Sequence, residues 1–113
     1  MLKVSKELFE LLSTSEVFSS VVGKRIYPVV AGEGVDYPFS IYTLSRGLGT
    51  YDGDEYNVYL HTYFSPNKIA EAMTFADNVK ELICGKFQWE GDDIDFIDKD
   101  QSIVVSIFFK TIG

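Results

Sequence analysis

Glycines, acids and aromatics crowd the stretch Ser45–Tyr56, SRGLGTYDGDEY, and three chemistries compete for it. Gly47, Gly49 and Gly53 hint at a dinucleotide loop, but the sixth position of a G-x-G-x-x-G pattern is Asp52. A phosphate cradle also needs a helix N-terminus aiming its amides at the anion, and this segment leads into a strand pattern. Asp52, Asp54 and Glu55 would repel a phosphate there. Asp52 and Asp54 have the alternate spacing of an EF-hand start, yet Tyr56 stands where the next oxygen ligand belongs and no closing Glu follows. The acids from Asp92 to Asp100 fail the same test. The third chemistry is contact. Leu48, Tyr51 and Tyr56 offer area and Arg46 a forked donor, which is the composition of a partner-binding hairpin tip.

Elsewhere, His61 is the sole histidine and Cys84 the sole cysteine. A Cys–His nucleophile needs a third group to orient the base and a site for the oxyanion, and neither can be assigned. Zinc needs more ligands of these types than the chain supplies. Carboxylates are plentiful, but in polar loops their pKa values have little reason to shift. The expectation is a protein without catalysis, cofactor or metal.

Bulk properties narrow the class. With 113 residues, 46% apolar and 24% charged, the chain suits one folded domain over 1–113 rather than a disordered segment. A net charge of -7 without clustered Lys or Arg argues against a protein whose main job is gripping nucleic acid. A lone cysteine forms no intrachain disulfide, the N-terminal MLKVSKELFELL lacks a signal-type apolar core, and no apolar run is long enough to span a bilayer. The simplest expectation is an intracellular protein without membrane insertion.

The elements that position these residues follow from periodicity. Val4, Leu8, Leu11 and Leu12 recur at helical spacing, predicting a helix over Val4–Leu12. Thr14 or Ser15 can cap a second short helix carrying Val17, Phe18, Val21 and Val22, ended by Gly23. Lys24–Tyr27 is extended up to Pro28, Val30–Pro38 is loop, and Phe39–Leu44 and Tyr56–Phe64 are strands. Ser45–Tyr56 thus connects a long hairpin. Ser65 as N-cap and Pro66 at the first position open a long helix, with Ile69, Ala72, Met73, Ala76, Val79, Leu82 and Ile83 on one face and Gly85 at its end. Phe87–Trp89 and Ile94–Ile97 make a short or broken strand, and Ser102–Lys110 alternates as a final one. The acids between Glu90 and Asp100 then fall in a loop. The predicted class is α+β: an antiparallel sheet of about four strands, one long helix packed on it, and a short N-terminal helix pair.

Period-two alternation also puts Tyr42, Leu44, Tyr59, Tyr63, Val104 and Phe108 on the sheet face opposite the long helix. That face is too apolar to be fully wet, so either the N-terminal helices or neighbouring subunits cover it.

Taken together, the helix pair ending in VVGKRIYPVV, the strands YPFSIYTL and YNVYLHTYF, the helix from Pro66 to Cys84 and the final IVVSIFFKTIG resemble, over nearly the full length, the small tail-completion or tail-terminator proteins of long-tailed phages and prophages. The resemblance rests on the order and spacing of the pieces. It implies a structural protein made in the bacterial host cytoplasm and built into the virion tail. It also implies a ring, commonly hexameric, that caps the head-proximal end of the tail tube, stops its polymerisation and meets the head connector, with DNA only passing through the lumen. In that setting Arg46, Leu48, Tyr51, Asp52, Asp54 and Glu55 are the expected subunit or tube contacts at the hairpin tip. Tyr59, Tyr63 and Phe108 are expected in a packed sheet face. An acidic binding module without catalysis, such as a phage-encoded inhibitor or adaptor, is the alternative.

Overall fold

The computed structural model describes residues 2–23, 25–28, 37–50, 53–97 and 102–112. In chain order these form α1 (Leu2–Thr14), α2 (Glu16–Val22), β1 (Ile26–Pro28), β2 (Phe39–Thr50), β3 (Gly53–Phe64), α3 (Ile69–Cys84), β4 (Gln88–Ile97) and β5 (Ser102–Ile112). The alternating residues of β3 and β5 pair antiparallel from Glu55↔Ile112 to Phe64↔Ile103, and this pair is the spine of a five-stranded sheet ordered β1-β2-β3-β5-β4.

The fold is therefore mixed α/β, with a fifth strand beyond the four expected. β1 runs parallel to β2, with Ile26 opposite Ser40, so the sheet is not wholly antiparallel. Three residues are too few to show a period, and Pro28 is tolerated because β1 is at an edge. The expected loop over Val30–Pro38 lies mostly outside the described residues. β4 is one strand of ten residues rather than two fragments. A bulge between Trp89 and Gly91 shifts its phase, which hides the alternation, and Gly91 has φ +154°, a backbone conformation that favours glycine. Glu90, Asp92, Asp93 and Asp95 consequently belong to an edge strand and not to a loop, a usual place for charges that discourage sheet-to-sheet pairing. The hairpin arms are likewise longer than predicted. β2 and β3 continue through most of the glycine-rich stretch, pairing Gly49 with Asp54 and Thr50 with Gly53 beyond a register shift at Arg46–Gly49.

All the described helices pack on one sheet face. Leu8 and Leu12 of α1, Phe18 and Val22 of α2, and Ala72, Phe75, Val79 and Ile83 of α3 share a buried cluster with Val58 and Leu60 of β3 and Ile103, Val105, Ile107 and Phe109 of β5. Phe75 lies at its centre, with ring centroids 5.3 Å from Phe18 and 5.4 Å from Phe64. Each fully buried side chain of this size contributes roughly 1.5–3 kcal/mol relative to exposure. The buried Ser40 and Thr62 hydroxyls on this face satisfy each other at 2.7 Å, avoiding the cost of an unpaired polar group.

Helix ends depart from the sequence reading in detail. α3 begins at Ile69 with Lys68 as its N-cap, while Ser65 and Pro66 form a preceding turn in which the Lys68 N–H donates to the Ser65 carbonyl at 3.1 Å. Its buried face centres on Ala72, Phe75, Val79 and Ile83, so Ile69 and Met73 are exposed rather than inward. Ser15 is the N-cap of α2 by position, without a side-chain cap bond, and Gly23 turns the chain away at φ +60°.

Candidate interaction face

Cross-strand partners share a face of a sheet, so the register sorts every candidate residue. Tyr42 pairs with Leu60 and Leu44 with Val58, which puts both under the helices. Their expected place on the opposite face is corrected by that register: the chain before Phe39 carries no alternation from which to set the phase of β2. Tyr42 is buried, its hydroxyl 2.7 Å from the Ser5 hydroxyl of α1.

The face away from the helices is built by Phe39, Ile41 and Thr43 of β2, Tyr59, His61 and Tyr63 of β3, and Val104, Ser106 and Phe108 of β5. Its rings form two groups. Tyr37 stacks on Phe39 at 5.6 Å, Phe39 on Tyr63 at 5.0 Å, and Phe108 receives Tyr59 at 5.7 Å and His61 at 6.4 Å edge to face. Such pairs hold one another's rotamers, so the face presents apolar area that loses little further side-chain entropy on contact. Tyr59 is 37% exposed, while Tyr63, His61 and Phe108 are half-buried by their neighbours. Because α1, α2 and α3 all pack on the other side, the N-terminal helices do not cover this face.

His61 belongs to the second group, against Phe108. Its Nδ1 lies 2.9 Å from the Ser106 hydroxyl, and burial pushes the imidazole below its ordinary value of 6.5. Cys84 is exposed at the end of α3, on the helix side, so the sheet separates the two residues that a Cys–His pair would need together. Among the described residues, no group of three or more His, Cys, Asp or Glu is placed to hold a metal ion.

At the hairpin end of the same face, Lys110 bridges neighbouring strands. Its Nζ is 2.9 Å from Glu55 of β3 and 3.3 Å from Glu90 of β4. Hydrogen bonds to Glu55 and then Glu90 raise the lysine above its ordinary value of 10.5. Glu55 is thus committed to an ion pair within the chain as well as being a candidate contact.

The residues expected at the hairpin tip divide. Glu55 joins Tyr59, Tyr63 and Phe108 on the open face, whereas Arg46 pairs with Tyr56 on the helix side, its guanidinium 5.5 Å from the centre of that ring. Tyr56 is buried, not displayed for a partner. Tyr51 and Asp52 lie outside the described residues, as do the side chains of Leu48 and Asp54, whose backbones belong to β2 and β3. Sequence reasoning missed Phe39 and Ile41, whose place beside Tyr63 and His61 is visible only once the register is known.

This arrangement, among the described residues, of three helices on one face of a five-stranded sheet has a solved counterpart. A chain from the virion of a native gene transfer agent particle shares the fold. The match has a TM-score of 0.62 and covers 91% of this chain and 88% of that one, at 8% sequence identity. At that identity the likeness is one of backbone architecture. No protein-family model and no curated protein matches the chain. Among the described residues, no helix is long and apolar enough to cross a membrane.

Proposed function

We propose that this chain is a structural protein of a phage-type virion tail, one that forms a ring at the head-proximal end of the tail tube. There it ends tube polymerisation and joins the tail to the head connector, without catalysis. The observation that carries this reading is the fold shared with a virion chain over 91% of the present chain. The aromatic face, which none of the described helices covers, supports it, since stacked rings on a sheet suit contact with another protein surface. In this reading the face around Tyr59, Tyr63 and Phe108, together with the hairpin tip, meets the tube protein. A hexamer is the expected closure.

The acids have a role in the same setting. A ring lumen lined by Asp52, Asp54 and Glu55 would repel DNA phosphates and let a genome slide through without sticking. Neutralising all three is expected to slow DNA ejection, and ejection at the normal rate would rule out the lining.

The deciding experiment is a pull-down with the tail-tube protein, paired with imaging of any large species in the purified chain. Closed rings that cap tubes support the proposal. A chain that neither forms rings nor binds tubes is instead an acidic binding module for another protein.

A further inference from the structure

Away from the aromatic face, the large exposed apolar side chains other than Val17 of α2 belong to elements at two opposite edges of the helix layer. Across the helix layer, α1 packs on α2 and α2 on α3, with α1 touching β1 at one sheet edge and α3 touching β4 at the other. On the first flank, Leu2 is 70% and Phe9 37% exposed. Positions 2, 6 and 9 share one stripe of a helix, so Lys6 lies between them, turned away from the buried Val4, Leu8 and Leu12. On the second flank, Ile69 and Met73 of α3 and Phe96 of β4 are 46%, 52% and 50% exposed. They border a groove between α3 and β4 made of two hollows of about 420 and 360 Å³ that share Ile94. Asp77 of α3 and Asp92 and Asp93 of β4 line the first of these hollows, Asp92 being on the helix side by its pairing with Ile107. Lys80, one turn beyond Asp77 on α3, sits over the Trp89 ring at 5.7 Å.

The two flanks are complementary in sign and share an apolar character. The acidic groove would repel a second groove, which disfavours a two-fold contact, but it suits an apolar helix stripe centred on a lysine. We infer that the Leu2–Lys6–Phe9 stripe of one copy docks in the α3–β4 groove of the next copy. Leu2 and Phe9 pack against Ile69, Met73 and Phe96, and Lys6 reaches Asp77 and Asp92. Because the flanks are opposite, each copy engages both neighbours at once, and the head-to-tail contact closes into a ring when the rotation permits. The inference rests on the ring reading and adds to it the surfaces through which subunits meet, leaving the aromatic face for the tube.

Light scattering over a concentration series tests this with the wild-type chain, Lys6→Glu, the pair Asp77→Lys/Asp92→Lys, and all three changes combined. Every altered side chain is exposed, and circular dichroism with a urea midpoint checks that each variant folds. Each charge reversal alone is expected to weaken association by about tenfold or more, and the combined chain to regain it. Phe9→Ser and Phe96→Ser are expected to weaken it as well. A wild-type oligomer that none of these changes affects overturns the docking inference and leaves the ring reading standing. Weakening by both reversals without recovery in the combined chain overturns the pairing of Lys6 with the aspartates. A wild-type chain that stays monomeric throughout, free and with tube protein, overturns the inference and the ring together.

Discussion

Tyr59 and Phe108 meet edge to face across β3 and β5, ring centroids 5.7 Å apart at 71°, on the sheet face that none of the described helices covers. A double-mutant cycle with Tyr59→Ala and Phe108→Ala is expected to give a coupling of about 0.5–1.5 kcal/mol in urea unfolding. If the face meets the tube, the same substitutions weaken tube binding by more than their effect on stability accounts for. Equal losses in the two measurements would make the pair structural only.

Phe75 of α3 ties three elements together, since α2 and β3 both reach it through aromatic contacts. Phe75→Ala is expected to cost about 3–5 kcal/mol, a large share of the roughly 5–15 kcal/mol that stabilises a typical domain. The urea midpoint should fall accordingly. A loss below about 1 kcal/mol would mean that α2, α3 and β3 are not packed around it as described.

His61 gives the fold a pH dependence of definite sign. Its imidazole is held below 6.5 by burial in the folded chain, so the unfolded chain binds the proton more readily. Its contribution to stability is complete above 6.5 and is lost as pH falls from there through the lower folded value. In His61→Gln the fall in melting temperature over that window should be shallower than in the wild type. Parallel curves would assign the slope to carboxylates instead.

Lys110 behaves in the opposite sense. With its value raised by Glu55 and Glu90, its contribution is complete below 10.5 and disappears only as pH rises through the higher folded value. Lys110→Met is therefore expected to lower the melting temperature slightly and by a constant amount across neutral pH, with the difference shrinking at high salt. A difference between the two chains that varied across neutral pH would count against the bridge.

Much of the open face is legible from β3 and β5 alone. Tyr59, Tyr63 and Phe108 alternate with the core residues Val58, Leu60 and Phe109, and a period of two needs no tertiary information. Tyr42 and Leu44 were not assignable in the same way, because shifting a strand by one residue exchanges all its faces. Arg46 and Tyr56 read as displayed side chains by composition, and their mutual contact on the helix side appears only after β2 and β3 are paired.

Local pattern alone thus determined the α1 and α2 pair, the body of α3, the hairpin and the last strand, because apolar periodicity over several turns or pleats selects one buried face. Tertiary structure decided the rest. The short β1 and the acidic, bulged β4 are strands because a neighbour completes their hydrogen bonds, and such pairing leaves no mark in a local sequence period. Which face stays open was decided by all three helices burying their apolar stripes on the same side, where Phe18, Phe75 and Leu12 share one core. That choice depends on long-range packing, which releases more apolar surface from water than any single element could do by itself.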